Sequence, residues 1–139
     1  GGEYIYLRGS TAVDTAALGD WVSIHSTAGA AVAPFHAARV PISTVYSTGR
    51  VFLAIAMSTA SDTASFAWYQ VSGQSTRARA DSTAQAPLAK LHLSSLAAAA
   101  LTTDTGGAPV FNAMTLSSNG SSLISVWINY PFVSTIAGA

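Results

Sequence analysis

The sequence predicts an all-β fold: a small antiparallel barrel or sandwich of about eight short strands joined by long loops. Two observations carry that reading. Turn formers are spread evenly, with Gly9, Gly19-Asp20, Gly29, Thr48-Gly49, Gly73, Gly106-Gly107 and Asn119-Gly120 interleaved with Pro34, Pro41, Pro87, Pro109 and Pro131. The pieces between them are too short for stable helices and are rich in β-branched and aromatic residues.

Each strong piece has its own logic. Tyr4-Ile5-Tyr6-Leu7 is β-favouring and runs to Gly9. Trp21 to Ser26 alternates, with Val22 and Ile24 on one face and Ser23 and His25 on the other, Trp21 leading the polar side. Arg50 to Met57 is a continuous apolar run, the pattern of a strand covered on both faces. Phe66 to Ser72 places Phe66, Trp68 and Gln70 on one face and Ala67, Tyr69 and Val71 on the other, and is expected to end at Gly73. Leu88 to Leu101 contains the helix-prone Leu96–Leu101 stretch. The Leu91-His92-Leu93 alternation and the bracketing Pro87 and Thr102-Thr103 instead favour a strand over 89–93, then a loop or one helical turn. Leu123 to Tyr130 is the last strong strand, expected to stop at Pro131. Asn119-Gly120 before it suits a type I′ hairpin turn or a longer loop around the same pair.

The chain's 139 residues suit a single domain over 1–139, with extended arms expected at 1–8 and 133–139. Six basic and six acidic residues cancel, and charged residues are 9% of the chain. So sparse a basic complement cannot neutralise a run of phosphates, so no nucleic-acid partner is expected. The apolar runs are too short and too interrupted to span a membrane. No basic-then-apolar leader pattern is visible at Gly1-Gly2. Without Cys there is no disulfide, thiolate nucleophile or zinc-thiolate site. Ala, Ser and Thr number 27, 19 and 14, which suggests a surface of small side chains made for packing against neighbours.

No residue set points to catalysis. Nineteen serines, three histidines and six acids could form many nominal triads, which makes none informative, and Gly-x-Ser-x-Gly is absent. His25, His36 and His92 lack metal-ligand spacing. The expectation is therefore a protein that is not an enzyme and uses no cofactor or metal. Arg77-Ala78-Arg79 puts two guanidinium groups on one face of a strand. They serve either as an anchor for a carboxylate-bearing partner or as a solvated edge that blunts aggregation. Trp68 and Tyr69, on opposite faces, are either core or partner-facing, as are Trp21 and Trp127. Tyr4, Ile5 and Tyr6, near a chain end, could add to a neighbour's sheet edge.

Several short motifs follow one another in a characteristic order: Gly2-Glu3-Tyr4-Ile5-Tyr6, Trp21-Val22, Ala54-Ile55-Ala56-Met57-Ser58, Trp68-Tyr69-Gln70 with Gly73, and Pro131-Phe132-Val133. In that order they resemble the small capsid decoration, or cement, proteins of tailed bacteriophages, across nearly the whole chain. The resemblance implies a structural virion protein on the outer capsid surface, a homotrimer that bridges and stabilises the major capsid proteins. Its partner-binding residues would be drawn from Tyr4, Ile5, Tyr6, Trp68, Tyr69, Arg77 and Arg79. The competing expectation is a carbohydrate- or receptor-binding β module of a virion or cell surface, with Trp21, Trp68 or Tyr69 stacking on sugars.

Overall fold

The computed structural model describes residues 2–9, 17–26, 35–39, 50–58, 66–81, 85–94, 96–97, 100–105, 107–118 and 122–134. These residues are all-β. They hold nine strands: β1 (Glu3–Gly9), β2 (Trp21–Ser26), β3 (Phe35–Arg39), β4 (Arg50–Ala56), β5 (Phe66–Arg79), β6 (Lys90–Leu93), β7 (Leu101–Thr102), β8 (Pro109–Ser118) and β9 (Leu123–Ser134). All belong to one hydrogen-bonded sheet of order β1-β3-β2-β4-β5-β9-β8-β6-β7.

The pairings give that sheet two parts. β5 also pairs back onto β1, so β1, β3, β2, β4 and β5 follow one another around a ring. The ring is joined at one end only by the short parallel contact of Arg8 with His36 and Gly9 with Ala37. The second half of β5 continues into a layer with β9, β8, β6 and β7. β4 connects the two, pairing with β5 through Ile55 and Ala56 and with β9 through Arg50, Val51 and Phe52.

The alternation of side chains gives each part its own core. Inside the ring, Leu7, Val22, Ala54, Ala56, Ala67, Tyr69 and Val71 pack together, with Ile5 and Ile24 against them. The outward faces of β2 and β4 carry Trp21, Leu53 and Ile55 into a second core with Leu91, Leu93, Leu101, Val110, Ile124, Val126, Ile128 and Val133. β4 is thus buried on both faces, as its unbroken apolar run predicts. Trp21 is not on a solvated polar face. It is fully buried, and its indole N–H donates to the Arg79 carbonyl at 3.0 Å. Ser23 beside it is buried as well.

Three boundaries differ from expectation for identifiable reasons. β5 does not end at Gly73 but bends there, at a φ of 104° that glycine adopts without a Cβ penalty. Its first half then serves the ring and its second half the layer. β9 does not stop at Pro131. Asn129, Tyr130 and Pro131 bulge opposite Asn112, where the missing proline N–H costs no ladder bond, and pairing resumes at Phe132. Neither expected arm is free where it is described. Glu3–Gly9 pairs with β5 and β3, and Val133 and Ser134 pair with β4, while 135–139 lie outside the described residues.

Other expectations hold. β6 occupies the predicted strand in 89–93, with no helix among the described residues that follow. β8 and β9 form the predicted hairpin. Its innermost pair, Ser118 with Ile124, leaves a connection longer than a two-residue turn, and Asn119-Gly120 lies outside the described residues.

Loops of the layer are fastened by buried polar groups. Asp81 accepts from Ser94 Oγ at 2.8 Å and from Gln85 Nε2 at 2.9 Å. Thr115, fully buried, donates to the Ala86 carbonyl at 2.7 Å and accepts from the Ala89 N–H at 2.9 Å. Each bond satisfies a group that burial would otherwise leave unpaired.

Candidate binding face

The register of β1 on β5 sets Tyr4 beside Gln70, Tyr6 beside Trp68 and Arg8 beside Phe66. Because side chains alternate, Ile5 and Leu7 point into the ring while Tyr4 and Tyr6 point out, toward the same side as Phe66 and Trp68. The outward rings touch one another: Tyr6 stacks on Phe66 at 5.5 Å and meets Trp68 at 4.9 Å between centroids. Yet they remain open to solvent, at 53% for Tyr6, 51% for Phe66 and 54% for Trp68. Tyr6 thus touches both of its neighbours, and the three half-exposed rings form an apolar surface on a strand ladder. Tyr4 and Met57 extend it; the Met57 N–H donates to the Trp68 carbonyl at 3.0 Å.

Gln70 occupies the next outward position of the row but is almost fully buried. Its Nε2 donates to the carbonyls of Ser72 and Gln74, each at 3.1 Å, which bridges the Gly73 bend and stiffens β5 where the strand changes layer. Beside it a cleft of about 360 Å³ is lined by Tyr4, Leu18, Met57, Gln70, Gln74 and Arg77, among others.

The turn carrying Leu18 is fixed by Gly19 and Asp20. Gly19 has a φ of 90° and lies so close to β5 that an added Cβ would sit 2.1 Å from the Arg77 carbonyl oxygen. Its N–H donates to Ala56 and its carbonyl accepts from Arg79 N–H. Asp20, buried, accepts from Arg79 at 2.9 Å and from Ala17 N–H at 2.9 Å.

These contacts sort the residues expected from the sequence. Tyr4, Tyr6 and Trp68 lie on the outward face. Ile5 faces inward against the ring core. Tyr69 is 1% exposed inside the ring, so it is core rather than contact surface, and burial raises its phenol pKa above the ordinary value. Trp21, buried in the other core, cannot stack on a sugar either. Arg77 and Arg79 do not act as a pair. A bulge between Ser75 and Ala78 turns Thr76 and Arg77 outward together, whereas Arg79 is tied to Asp20. Phe66 belongs to the face and had a signal, its two-residue spacing from Trp68. Leu18 and Met57 had none, because their place depends on the Gly19 turn and on where β4 ends.

No family model matches the chain, and no curated protein and no solved structure matches it. Its face must therefore be understood from its own chemistry. Among the described residues, no group of His, Asp and Glu is arranged to hold a metal ion. The side chains of His25 and His36 lie outside the described residues. His92 is buried in the layer with Nδ1 unpartnered, and burial, followed by the charge of Lys90, lowers its pKa. A face of aromatic rings binds by burial and stacking. Such a face loses little polar hydration on docking, and its rings have little rotamer freedom to lose.

Proposed function

We propose that this protein is a structural subunit that docks on a larger protein shell, as the capsid decoration proteins of tailed bacteriophages do. The observation that carries this reading is the Tyr6–Phe66–Trp68 cluster: three half-exposed rings on a two-strand ladder, with Tyr6 in contact with both others. Trp and Tyr on such a surface are the residue types that dominate binding energy at protein interfaces. The resemblance of the motif order to that of decoration proteins supports a virion shell as the target, the major capsid protein as partner and a trimer as the bridging unit. Many copies on a lattice make a modest contact sufficient.

The test is reassembly. The purified chain is added to shells of the major capsid protein encoded in the same genome, and bound copies and the melting temperature of the shell are measured. Saturable binding at a fixed ratio and a raised melting temperature are expected, with binding lost in Trp68→Ala while the isolated protein keeps its own stability. Shells that bind none of it, or bind Trp68→Ala equally well, overturn the proposal.

The cleft beside Tyr4 favours a second reading. Gln74 places an exposed amide in a cleft that Tyr4 borders with its ring, the combination that recognises a sugar. Retention on an immobilised glycan that Tyr4→Ala abolishes would move the function from shell binding to carbohydrate binding.

A further inference from the structure

At the ring's other end, where the described residues show no pairing of β1 with β3, lies a second cleft of about 460 Å³. Ile5, Ile24 and Val71 form its inner wall, continuous with the ring core. Its rim is aromatic: Tyr4, Phe52 and Tyr130 are each close to half exposed. Glu3 is the one charged residue of the described lining, and its Oε2 accepts from the Tyr130 hydroxyl.

We propose that this cleft is a binding site for an organic cation, an ammonium or guanidinium head on an apolar stem.

Three features of the cleft converge on that ligand class. Aromatic faces attract a cation through their quadrupole, most strongly where water is thin. A carboxylate has room for several donors, so Glu3 keeps acceptor capacity after bonding Tyr130. A neutral apolar ligand would strip water from Glu3 without replacing the lost hydrogen bonds, and an anion would meet its charge directly. The apolar inner wall requires a stem, because a small hydrated cation would leave Ile5, Ile24 and Val71 uncovered.

The backbone supports the same assignment. Tyr130 stands at a φ of 50°, a left-handed conformation uncommon for an aromatic residue and further restricted by the proline that follows. Strain of this kind persists where surrounding structure imposes it, and it clusters at binding sites. Here the β9 bulge swings the Tyr130 ring to the cleft and its hydroxyl to Glu3. Hydrogen bonding to Glu3 raises the phenol pKa, so at neutral pH the Tyr130 hydroxyl remains a donor. Tyr4 alone borders both clefts, so the Tyr6–Phe66–Trp68 surface can be disabled separately.

The test is a titration of the full-length isotope-labelled chain, followed by amide shifts, with hexyltrimethylammonium, hexanol, hexanoate and N-acetyl-lysine methylamide. Hexyltrimethylammonium is expected to bind saturably, with shifts centred on Ile5, Phe52, Val71 and Tyr130, and roughly tenfold more tightly than hexanol. Hexanoate is expected not to bind. Glu3→Gln should narrow the preference for the cation over hexanol, the aromatic rim keeping the remainder. Tyr130→Phe, which keeps the ring and the carboxylate, should retain the preference for the cation. Tighter binding of the lysine derivative than of hexyltrimethylammonium would identify a partner's side chain as the source of the cation; the reverse would identify a free small molecule. Equal binding of hexanol and the cation to the unaltered protein, an unchanged preference in Glu3→Gln, or no binding of any cation would each overturn the proposal. Trp68→Ala carried in parallel should leave these affinities unchanged, which separates this site from the shell-binding face.

Discussion

Ala54, Ala56 and Ala67 line the ring, whereas Leu91, Leu93, Ile124 and Ile128 fill the neighbouring layer. Both sets are buried, and both come from strands of similar alternation. What separates them is the space available. The interior of a β ring narrows as strands are removed; about eight strands leave a lumen that side chains just fill. Five strands leave less, so Ala54, Ala56 and Ala67 share the interior with Leu7, Val22 and Val71, and Tyr69 is its one aromatic residue. The layer packs one open surface against Trp21, Leu53 and Ile55, so long aliphatic side chains fit there. The abundance of alanine therefore has a use inside the molecule. Ala54, Ala56, Ala67, Ala78, Ala80, Ala100 and Ala113 are all buried. The composition, taken from the sequence as the mark of a surface made for packing against neighbours, is in these seven positions a property of the cores.

Trp21 is the largest of the side chains that join the two parts, with Leu53 and Ile55, since its strand belongs to the ring and its indole to the layer core. Trp21→Ala would open a cavity at that seam and leave the Arg79 carbonyl without its indole donor. The expected loss is about 3–5 kcal/mol of unfolding free energy, measured by denaturant titration. A loss below about 1 kcal/mol would mean that the two parts do not share a core through this residue.

Overpacking tests the narrowness of the ring directly. Ala54→Leu adds three carbons to the ring interior and should cost about 1–3 kcal/mol. Reducing volume in the layer should cost less: Ile128→Val is expected to lose about 0.5–1.5 kcal/mol. If the two substitutions reversed that order, the ring interior would have room that its alanines do not indicate.

The fold class and most strands were legible because alternation and turn residues are local signals. Phe66 to Val71 shows this best: each side chain lies on the face that its position in the alternation predicts. Nothing local, however, states what lies beyond a face. Ser23 marks the β2 face as polar, yet Trp21 on that side is core, because a whole layer covers it. Tyr69 and Trp68 are both aromatic and adjacent, and only the direction in which β5 curves decides that one is buried and the other open. Gly73 and Pro131 were read as stops because they usually end strands. In a long strand shared by two layers they serve as a bend and a bulge. The cleft at Glu3, Phe52 and Tyr130 draws on three distant strands, and no spacing in the sequence brings these residues together.

The smallest expected effect distinguishes the two cores by proton. His92 in the layer has a pKa below its ordinary value, mainly through burial. The unfolded chain then takes up a proton more readily than the folded one below about pH 6.5. Stability is expected to be intact above that value, to fall as the pH drops toward the folded pKa of His92, and to level off below it. A single site allows a slope of at most about 1.4 kcal/mol per pH unit. Tyr69 in the ring has a raised pKa, again through burial, so its sign is the opposite. The folded state keeps the neutral phenol longer than the unfolded chain does. Stability is therefore complete below about pH 10 and declines as the pH rises toward the folded pKa of Tyr69. Acid should thus weaken the layer and alkali the ring. Denaturant midpoints across pH, compared between the unaltered protein, His92→Leu and Tyr69→Phe, separate the two. His92→Leu should flatten the acid limb alone, and Tyr69→Phe should reduce the alkaline limb alone, leaving the part that the raised pKa of Tyr130 contributes. If either substitution flattened both limbs, the two cores would not be distinct in their response to charge.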